Sequence, residues 1–426
     1  MLSVGQTLPL DIEKPAAGGR MIARANGHVV LVAGAIPGER AMVRIERVAK
    51  GVAYGQAISI ESPSADRRTT TGDPLCGGCL YAEIAYPRQL AIKAQVIADA
   101  FGRIGRIPWV PPIVVAPSPE DGYRMRARLH LRGGRLGFFR EGSHELCDIR
   151  KTRQLLASSC DVLDEIEARL QTLDVRGGAE IELSENVRGS ERTVHVEGAQ
   201  PIDPASLLGL ADIDGVTGVT VGVFPSSAVE HASVVSGNPR VHDVLQIDDV
   251  AVAIDRHVMA FFQGNRFLLE PLAAHVVAAM PHGATVVDLY AGTGLFSLAA
   301  ARVRGATVTA VEGDLVSAAD LALNAAAAGG RVEARHESVE VFTARRQPSP
   351  NTLIVDPPRT GMSRAALDGA LALRAERLVY VSCDVATLAR DARRVLDGGY
   401  ALERIDAFDL FPSTPHVETV AIFVRA

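Results

Sequence analysis

Apolar runs alternate with alanine-rich segments over residues 241–426, and this alternation narrows the choice of fold class. Five apolar runs of strand length recur there, at 285–289, 307–311, 352–355, 377–381 and 417–424. Nearly continuous apolar runs are typical of strands buried on both faces, so the pattern predicts an α/β domain with a parallel sheet covered by helices. We expect the last run to add an antiparallel strand.

The composition is ordinary for a globular chain. The 426 residues are 47% hydrophobic and 22% charged, with a net charge of −6, which excludes collagen-like, coiled-coil and disordered folds. The net charge argues weakly against a protein coated in positive charge, but it does not exclude a local basic site. We find neither a secretory signal nor an uncharged apolar stretch of about 18 residues, so we expect a cytoplasmic protein with no membrane partner.

Two further regions precede the C-terminal domain. Residues 1–62 contain short alternating runs separated by turn signals such as Ala-Asn-Gly at 25–27, which predicts a small five-stranded β-barrel of the oligonucleotide-binding type. Residues 63–240 hold a Cys-Gly-Gly-Cys sequence, a helical pattern over 87–106 and several strand signals. We predict a central α+β domain there, with a proline-rich loop over 107–120.

One strand of the central region is unusually basic. Apolar and basic residues alternate from 123 to 132, so that one strand face carries Arg124, Arg126, Arg128, His130 and Arg132. Packing alone does not require this row of charge, which therefore favours a groove that binds RNA or another polyanion. The alternative is a solvated strand face whose arginines pair with acidic residues of a neighbouring strand.

The first chemical signal follows the first strand of the C-terminal domain. Asp288 lies in that strand, and Gly292 and Gly294 form a Gly-x-Gly turn that opens a helix, where a nucleotide-like ligand can approach the backbone. The next strand ends at Glu312, whose carboxylate can accept both ribose hydroxyls of a nucleoside. Ser297 replaces the third glycine of a pyrophosphate-binding sequence, which favours S-adenosylmethionine, a ligand without pyrophosphate, over NAD.

Two more signals follow later strands. Residues 356–361 (Asp-Pro-Pro-Arg-Thr-Gly) come directly after an apolar run, and the two prolines predict a stiff loop that positions a substrate. A plain tight turn is the alternative. Cys383 ends the next strand, where a thiol can act as a nucleophile once it is deprotonated. A buried, inert cysteine is the alternative.

Two weaker signals complete the set. His416 and Glu418 lie in a polar turn between apolar runs and are candidates for acid–base chemistry. Residues 261–265 (Phe-Phe-Gln-Gly-Asn) precede the Gly-x-Gly turn. There, Gln263 and Asn265 either bind a ligand or cap a helix.

In this order, the five motifs resemble those of the RNA uracil-C5 methyltransferases, which make 5-methyluridine in tRNA or ribosomal RNA. Residues 1–62 resemble the family's N-terminal TRAM domain, and residues 241–426 resemble its Rossmann-like domain that binds S-adenosylmethionine. The resemblance implies that Cys383 adds to uracil C6 and that Glu418 removes the C5 proton. The positions that match the family's cofactor site are Gln263, Tyr290, Glu312 and Asp356.

The resemblance also implies the partners. The substrate is an unpaired uridine in RNA, because the target base must reach the thiol. Ribosomal RNA is favoured over tRNA by the combination of the barrel with the Cys-Gly-Gly-Cys sequence. One catalytic set per chain is consistent with a monomer.

Four cysteines raise the question of a metal centre. One branch of the family holds a [4Fe–4S] cluster with four cysteines, and Cys76 and Cys79 match two of them. Other residue types stand at the remaining two positions, but Cys147 and Cys160 are nearby and complete a candidate set of four thiolates. The alternative is that the cluster is lost and that the Cys-Gly-Gly-Cys sequence is kept as a turn.

One departure from the family pattern keeps two alternatives open. Asp384 and Val385 follow Cys383 where the family usually has Asn-Pro, and the Asp384 charge is expected to disfavour the thiolate. The chain could instead be an RNA-binding or RNA-folding factor with a degenerate methyltransferase domain, which would bind RNA without S-adenosylmethionine. It could also methylate a ring nitrogen, which needs no thiol and would survive Cys383→Ser.

Overall fold

The short alternating runs at the N-terminus form a sheet of six strands. The computed structural model describes residues 2–70, 72–108, 110–173, 178–223 and 232–426. The first strands are Thr7–Asp11 (β1), Lys14–Pro15 (β2), Met21–Ala25 (β3), His28–Ala33 (β4), Arg40–Ala49 (β5) and Val52–Ser62 (β6). They lie in the order β1-β5-β6-β4-β3-β2 and enclose an apolar core of their own. We call this unit the barrel; it has one strand more than expected.

The segment after the barrel joins the C-terminal domain. Helix α1 (Tyr86–Arg103) and strand β7 (Val114–Ala116) follow the barrel in the chain. In α1, Phe101 is buried in a core of the C-terminal domain, whereas Ile92 is buried in the core of the barrel. β7 pairs in parallel with residues 406–408 and forms one edge of the C-terminal sheet. The sequence placed this segment in the central region and predicted only a loop over 107–120, because a three-residue edge strand carries too short a pattern.

The central region is built on a seven-stranded sheet. Its strands are Arg126–Arg132 (β8), Arg135–Phe139 (β9), Leu146–Cys147 (β10), Ala179–Glu185 (β11), Arg192–Gly198 (β12), Gly218–Val223 (β13) and Ser233–Gly237 (β14). They lie in the order β10-β9-β8-β11-β12-β13-β14. Helix α2 (Ala157–Gln171) and the 3-10 helix Pro204–Asp212 lie against it, and a short 3-10 helix at Arg150–Thr152 precedes α2. The apolar faces of these elements share one core.

The basic face of β8 is partly paired with acidic side chains of its neighbour, because β11 pairs with β8 in antiparallel register. Arg126 Nε lies 3.0 Å from Glu182 Oε1, and Arg128 Nε lies 3.1 Å from Glu182 Oε2. His130 Nδ1 lies 3.4 Å from Glu180 Oε1. The cross-strand acidic partners of the alternative are therefore present for Arg126, Arg128 and His130, and RNA binding by this face stays a prediction.

The C-terminal domain has the predicted Rossmann-like arrangement. A hairpin of Arg240–Ile247 (β15) and Val250–His257 (β16) leads into it. The sheet strands that follow are Thr285–Leu289 (β17), Thr307–Glu312 (β18), Val332–His336 (β19), Thr352–Val355 (β20), Arg377–Ser382 (β21), Tyr400–Phe408 (β22) and Glu418–Arg425 (β23). With β7 they form one sheet in the order β19-β18-β17-β20-β21-β23-β22-β7. The last strand, β23, is antiparallel to β21, as expected.

Helices cover both faces of this sheet and bury two apolar cores against it. They are Leu269–Ala278 (α3), Leu295–Arg304 (α4), Leu315–Ala327 (α5), Val339–Ala344 (α6), Arg364–Ala372 (α7) and Val385–Asp397 (α8). This double cover explains why the sheet strands are apolar on both faces. Within the described residues, none of the helices combines the length and apolarity needed to cross a bilayer.

Candidate active site

The carboxyl ends of the central strands open into a cavity of about 570 Å³, a volume typical of small-molecule and cofactor sites. Its wall includes every residue to which the family resemblance assigned catalysis or cofactor binding: Gln263, Tyr290, Glu312, Asp356, Cys383 and Glu418. His416 lies on the same wall. Residues from five separate motifs thus meet in one cavity, as expected where ligands bind at this edge of an open α/β sheet.

The glycine turn between β17 and α4 shapes one end of the cavity. Tyr290 has a φ of 62° and Gly294 a φ of 100°, so the chain turns sharply at both positions. A Cβ on Gly294 would lie 2.9 Å from Leu321 Cδ1, whereas one on Gly292 would meet no atom within 4 Å. Glycine is therefore needed at 294 because a side chain there would collide with Leu321. At Gly292 the space beside the backbone is open to a ligand.

Two carboxyl groups lie behind this turn. Glu312 Oε2 accepts a hydrogen bond from the Gly292 N–H at 2.8 Å, and its Oε1 accepts one from the Asp314 N–H at 2.7 Å. Burial raises the pKa of Glu312. Ser297 Oγ donates to Asp288 Oδ2 at 2.6 Å, and burial raises the pKa of Asp288 to about 7. The serine that replaces a pyrophosphate-binding glycine therefore holds a buried carboxyl group in place.

The structure separates the roles of the two polar residues in 261–265. Gln263 lines the cavity, and its Nε2 donates to Asp356 Oδ2 at 3.3 Å. Asn265 is fully buried, and its Oδ1 accepts hydrogen bonds from two N–H groups just ahead of α3. Its Nδ2 donates to the Leu410 carbonyl at 3.1 Å. Gln263 is therefore available to a ligand, whereas Asn265 holds together two chain segments.

Cys383 lies at the end of β21, and its half-buried side chain faces the cavity. Burial raises the pKa of the Cys383 thiol to about 12, and the nearby Glu418 and Asp356 carboxyl groups add to the rise. The Arg359 guanidinium acts in the opposite direction, through its charge and a hydrogen bond to the thiol. Arg359 is thus the group on this wall that favours the thiolate.

The unusual residue after the thiol has a structural role. Asp384 is the N-cap of α8, and its carboxylate accepts a hydrogen bond from the Thr387 N–H at 2.8 Å. An N-terminal carboxylate stabilises a helix through the exposed N–H groups and the helix dipole. The carboxyl groups that raise the pKa of the Cys383 thiol most are those of Glu418 and Asp356. The charge expected to disfavour the thiolate therefore comes from these two residues rather than from Asp384.

Glu418 and His416 are the two residues that the sequence nominated for acid–base chemistry. Glu418 begins β23 and is 1% exposed, and its Oε1 has no hydrogen-bond partner among the described residues. Burial and the Asp356 carboxyl raise the pKa of Glu418 well above its usual range. Burial lowers the pKa of His416 to about 4, so this imidazole is neutral at pH 7 and can both donate and accept a hydrogen bond.

Sequence reasoning missed several residues of the cavity wall. Arg359 stood in the 356–361 motif without an assigned role, and Arg126 was assigned only to a basic strand face. Met259 and Phe261 also line the cavity. The position of Arg359 three residues after Asp356 was the available signal, because the loop after a catalytic-edge strand faces the ligand.

The four cysteines do not fit a [4Fe–4S] cluster in this structure. Cys76 and Cys147 form a disulfide, and Cys79 and Cys160 are free and buried. A disulfide sulfur has no thiolate to give to iron, so at most two of the four proposed ligands remain. Among the described residues, no group of three or more His, Cys, Asp or Glu side chains is arranged to hold a metal ion.

Comparisons with known proteins agree with this geometry. Residues 227–426 match the family model tRNA (Uracil-5-)-methyltransferase, and residues 2–58 match the TRAM domain. The chain is 32% identical to the 23S rRNA (uracil(1939)-C(5))-methyltransferase RlmD of Azoarcus sp. (strain BH72), over 96% of this chain and 97% of that protein. It is 31% identical to the Uncharacterized RNA methyltransferase CE1797 of Corynebacterium efficiens, over 100% of this chain and 96% of that protein.

A solved structure shows the same fold. The Pyrococcus abyssi tRNA (uracil-54, C5)-methyltransferase, in complex with S-adenosyl-L-homocysteine, superposes with a TM-score of 0.77 at 24% identity, covering 97% of this chain and 99% of that chain. The predicted α/β architecture with an N-terminal TRAM domain is confirmed. With the relatives at 30% identity or more over nearly the full length, the chain belongs to the RNA uracil-C5 methyltransferases, enzymes that methylate RNA with S-adenosylmethionine as the methyl donor.

Proposed function

We propose that this chain methylates C5 of one unpaired uridine in ribosomal RNA, as a monomer in the cytoplasm, through a covalent adduct with Cys383. The observation that carries the proposal is the shared cavity, in which Cys383 and Glu418 line the same wall as Glu312 and Gln263. A nucleophile, a base and a cofactor-binding carboxylate are the groups that this reaction needs in one place.

The residues at the glycine turn fit S-adenosylmethionine. Glu312 ends β18 and can accept ribose hydroxyls, because a carboxylate has lone pairs beyond the two that backbone N–H groups use. The open backbone at Gly292 allows the nucleoside to lie close to the turn. Gln263, Tyr290 and Asp356 line the same cavity. When bound, the cofactor supplies an electrophilic methyl group on a sulfonium.

The chemistry assigns a distinct task to each reacting group. Uracil C5 is too weak a nucleophile to attack a methyl sulfonium directly. The Cys383 thiolate adds to C6, which forms an S–C6 bond and moves the C5=C6 electron pair onto C5 and its carbonyl as an enolate. The C5 electron pair then takes the methyl group, and the methyl–sulfur bond of the donor breaks to leave S-adenosylhomocysteine.

Glu418 completes the cycle as the base. Its carboxylate takes the proton from C5, the C5–H electrons re-form the C5=C6 double bond, and the S–C6 bond breaks to release the Cys383 thiolate. Burial of Glu418 suits this task, because a raised pKa makes its carboxylate a stronger base. Arg359 favours the thiolate at both ends of the cycle.

Ribosomal RNA is the substrate class that the relatives support. Two proteins named 23S rRNA (uracil(1939)-C(5))-methyltransferase RlmD, from Azoarcus sp. and Aromatoleum aromaticum, are 32% and 30% identical over 96% of this chain. The competing substrate is tRNA, which the matching family model and the superposed archaeal enzyme both have in their names. In either RNA the target base must be unpaired or flipped to reach Cys383.

The test is methyl transfer from labelled S-adenosylmethionine to unmodified ribosomal RNA and tRNA, followed by digestion to nucleosides. The wild type is expected to make labelled 5-methyluridine in ribosomal RNA, and Cys383→Ala is expected to make none while still binding the cofactor. Cys160→Ala is the matched control, because Cys160 is a free cysteine outside the cavity wall. Turnover by Cys383→Ala would refute the covalent mechanism, and label on a ring nitrogen would favour the alternative enzyme.

A further inference from the structure

The segment that leads into Glu418 is held from two sides. We call residues 409–417 the base loop, because they contain His416 and end where β23 begins with Glu418. On one side, the Ser413 N–H of the base loop donates to Gln89 Oε1 of α1 at 2.9 Å. The position of the proposed base therefore depends on what packs against this loop.

The other side of the base loop is covered by the barrel. The turn between β2 and β3 is closed by a hydrogen bond from the Ala16 N–H to the Arg20 carbonyl at 2.9 Å. Gly18 and Gly19 form the turn, with φ of 85° and 91°. A Cβ on Gly19 would lie 2.9 Å from Cγ and 3.1 Å from Cβ of Pro415, whereas a Cβ on Gly18 would meet no atom within 4 Å.

The barrel cannot easily move away from this contact. Its core includes Tyr81 and Ile92, which belong to the segment that follows the barrel and to α1. Lys14 Nζ of β2 also lies 3.2 Å from Asp99 Oδ2 of α1. Because α1 holds both the barrel and the base loop, an atom added between the turn and the loop must displace one of them.

We propose that Gly19 is a positioning residue for the base, so that the barrel forms part of the support of the active site. The inference rests on the proposed role of Glu418. Pro415 lies three residues before Glu418 and next to His416 in the chain, and its ring is rigid. A shift of about 1 Å in a catalytic group can cost about a hundredfold in rate.

The experiment compares Gly19→Ala with Gly18→Ala in the full chain. Both substitutions place alanine at nearly the same positive φ in the same turn, so the backbone strain is matched and the contact with Pro415 differs. We expect kcat for RNA methylation to fall about tenfold to a hundredfold in Gly19→Ala and to stay within about threefold of wild type in Gly18→Ala. The Kd for S-adenosylmethionine is expected to be equal in both, because Glu312 and the glycine turn are untouched.

A second substitution tests the contact from the side of the loop. Pro415→Ala removes the ring atoms Cγ and Cδ, which lie 2.9 Å and 3.6 Å from the added Cβ. We expect Gly19→Ala to cost less in the Pro415→Ala background than in the wild type. This comparison of Gly19→Ala in the two backgrounds also tests the contact if Gly19→Ala has a lower melting temperature than Gly18→Ala.

Two results would overturn the inference. One is a kcat for Gly19→Ala equal to that of Gly18→Ala, and the other is an undiminished loss in the Pro415→Ala background. Both results presuppose that the wild type makes 5-methyluridine. If the wild type makes none, the proposed function fails, which separates that failure from a failure of the role of Gly19.

Discussion

A buried ion pair joins α1 to the base loop. We expect its removal to lower the stability of the fold by an amount that can be calculated. Lys93 Nζ lies 2.5 Å from Asp409 Oδ1, and the two side chains are 1% and 0% exposed. Lys93→Met leaves the Asp409 charge in the interior without its partner, which costs about 3–5 kcal/mol. A unit of 150–250 residues loses roughly 2–4 °C per kcal/mol, so the first thermal transition is expected to fall by about 6–20 °C.

Calorimetric melting of three variants isolates this effect. Lys14→Met is the matched control, because Lys14 also pairs with a carboxylate at 3.2 Å but is about one third exposed; it is expected to cost about 1 kcal/mol or less. The double variant Lys93→Met/Asp409→Leu is expected to recover most of the loss, since it leaves no unpaired charge. The reasoning is refuted if Lys93→Met and Lys14→Met have the same melting temperature, or if the double variant is no more stable than Lys93→Met.

Three more predictions concern the site and the cysteines. The single-turnover methyl transfer rate is expected to rise with pH, since the Cys383 thiol with its raised pKa must ionise. Arg359→Gln is expected to shift this rise to higher pH and to slow transfer about tenfold at pH 7. Overlapping pH profiles of the variant and the wild type would contradict this. Glu312→Gln is expected to weaken S-adenosylmethionine binding about tenfold in calorimetric titration, because an amide has one oxygen acceptor instead of two; an unchanged Kd would contradict the ribose contact. Thiol titration of the unfolded, unreduced protein is expected to find three thiols, with Cys76 and Cys147 appearing only after reduction, and stoichiometric iron would contradict this.

In the C-terminal sheet, the strands that the sequence predicted are mostly buried. The run at 352–355 is buried at every position, and its apolar composition predicts a strand without any tertiary information. Besides β7, two strands of this sheet were missed, Val332–His336 and Tyr400–Phe408. Both carry exposed charged residues, because each lies toward an edge of the sheet, where one face or one end meets solvent.

The basic strand shows what a local charge pattern leaves open. The sequence counts the arginines of β8 correctly, but their partners Glu180 and Glu182 lie about fifty residues later in the chain. Only the antiparallel pairing of β8 with β11 brings these carboxylates onto the same face. Charge along one strand therefore says little about a binding surface until the neighbouring strand is known.

The amino-acid sequence is enough to identify the family of this protein, because a glycine turn, an acid at a strand end, a thiol and a final acid occur in an order typical of one enzyme family. Tertiary structure alone decided how those groups behave. Three relationships connect residues that are distant in the chain. They are the opposing effects of Arg359 and Glu418 on the pKa of Cys383, the disulfide between Cys76 and Cys147, and the close approach of Gly19 to Pro415. Motifs are local in sequence, whereas pKa values and close contacts depend on neighbours that only the packing of sheets and helices supplies.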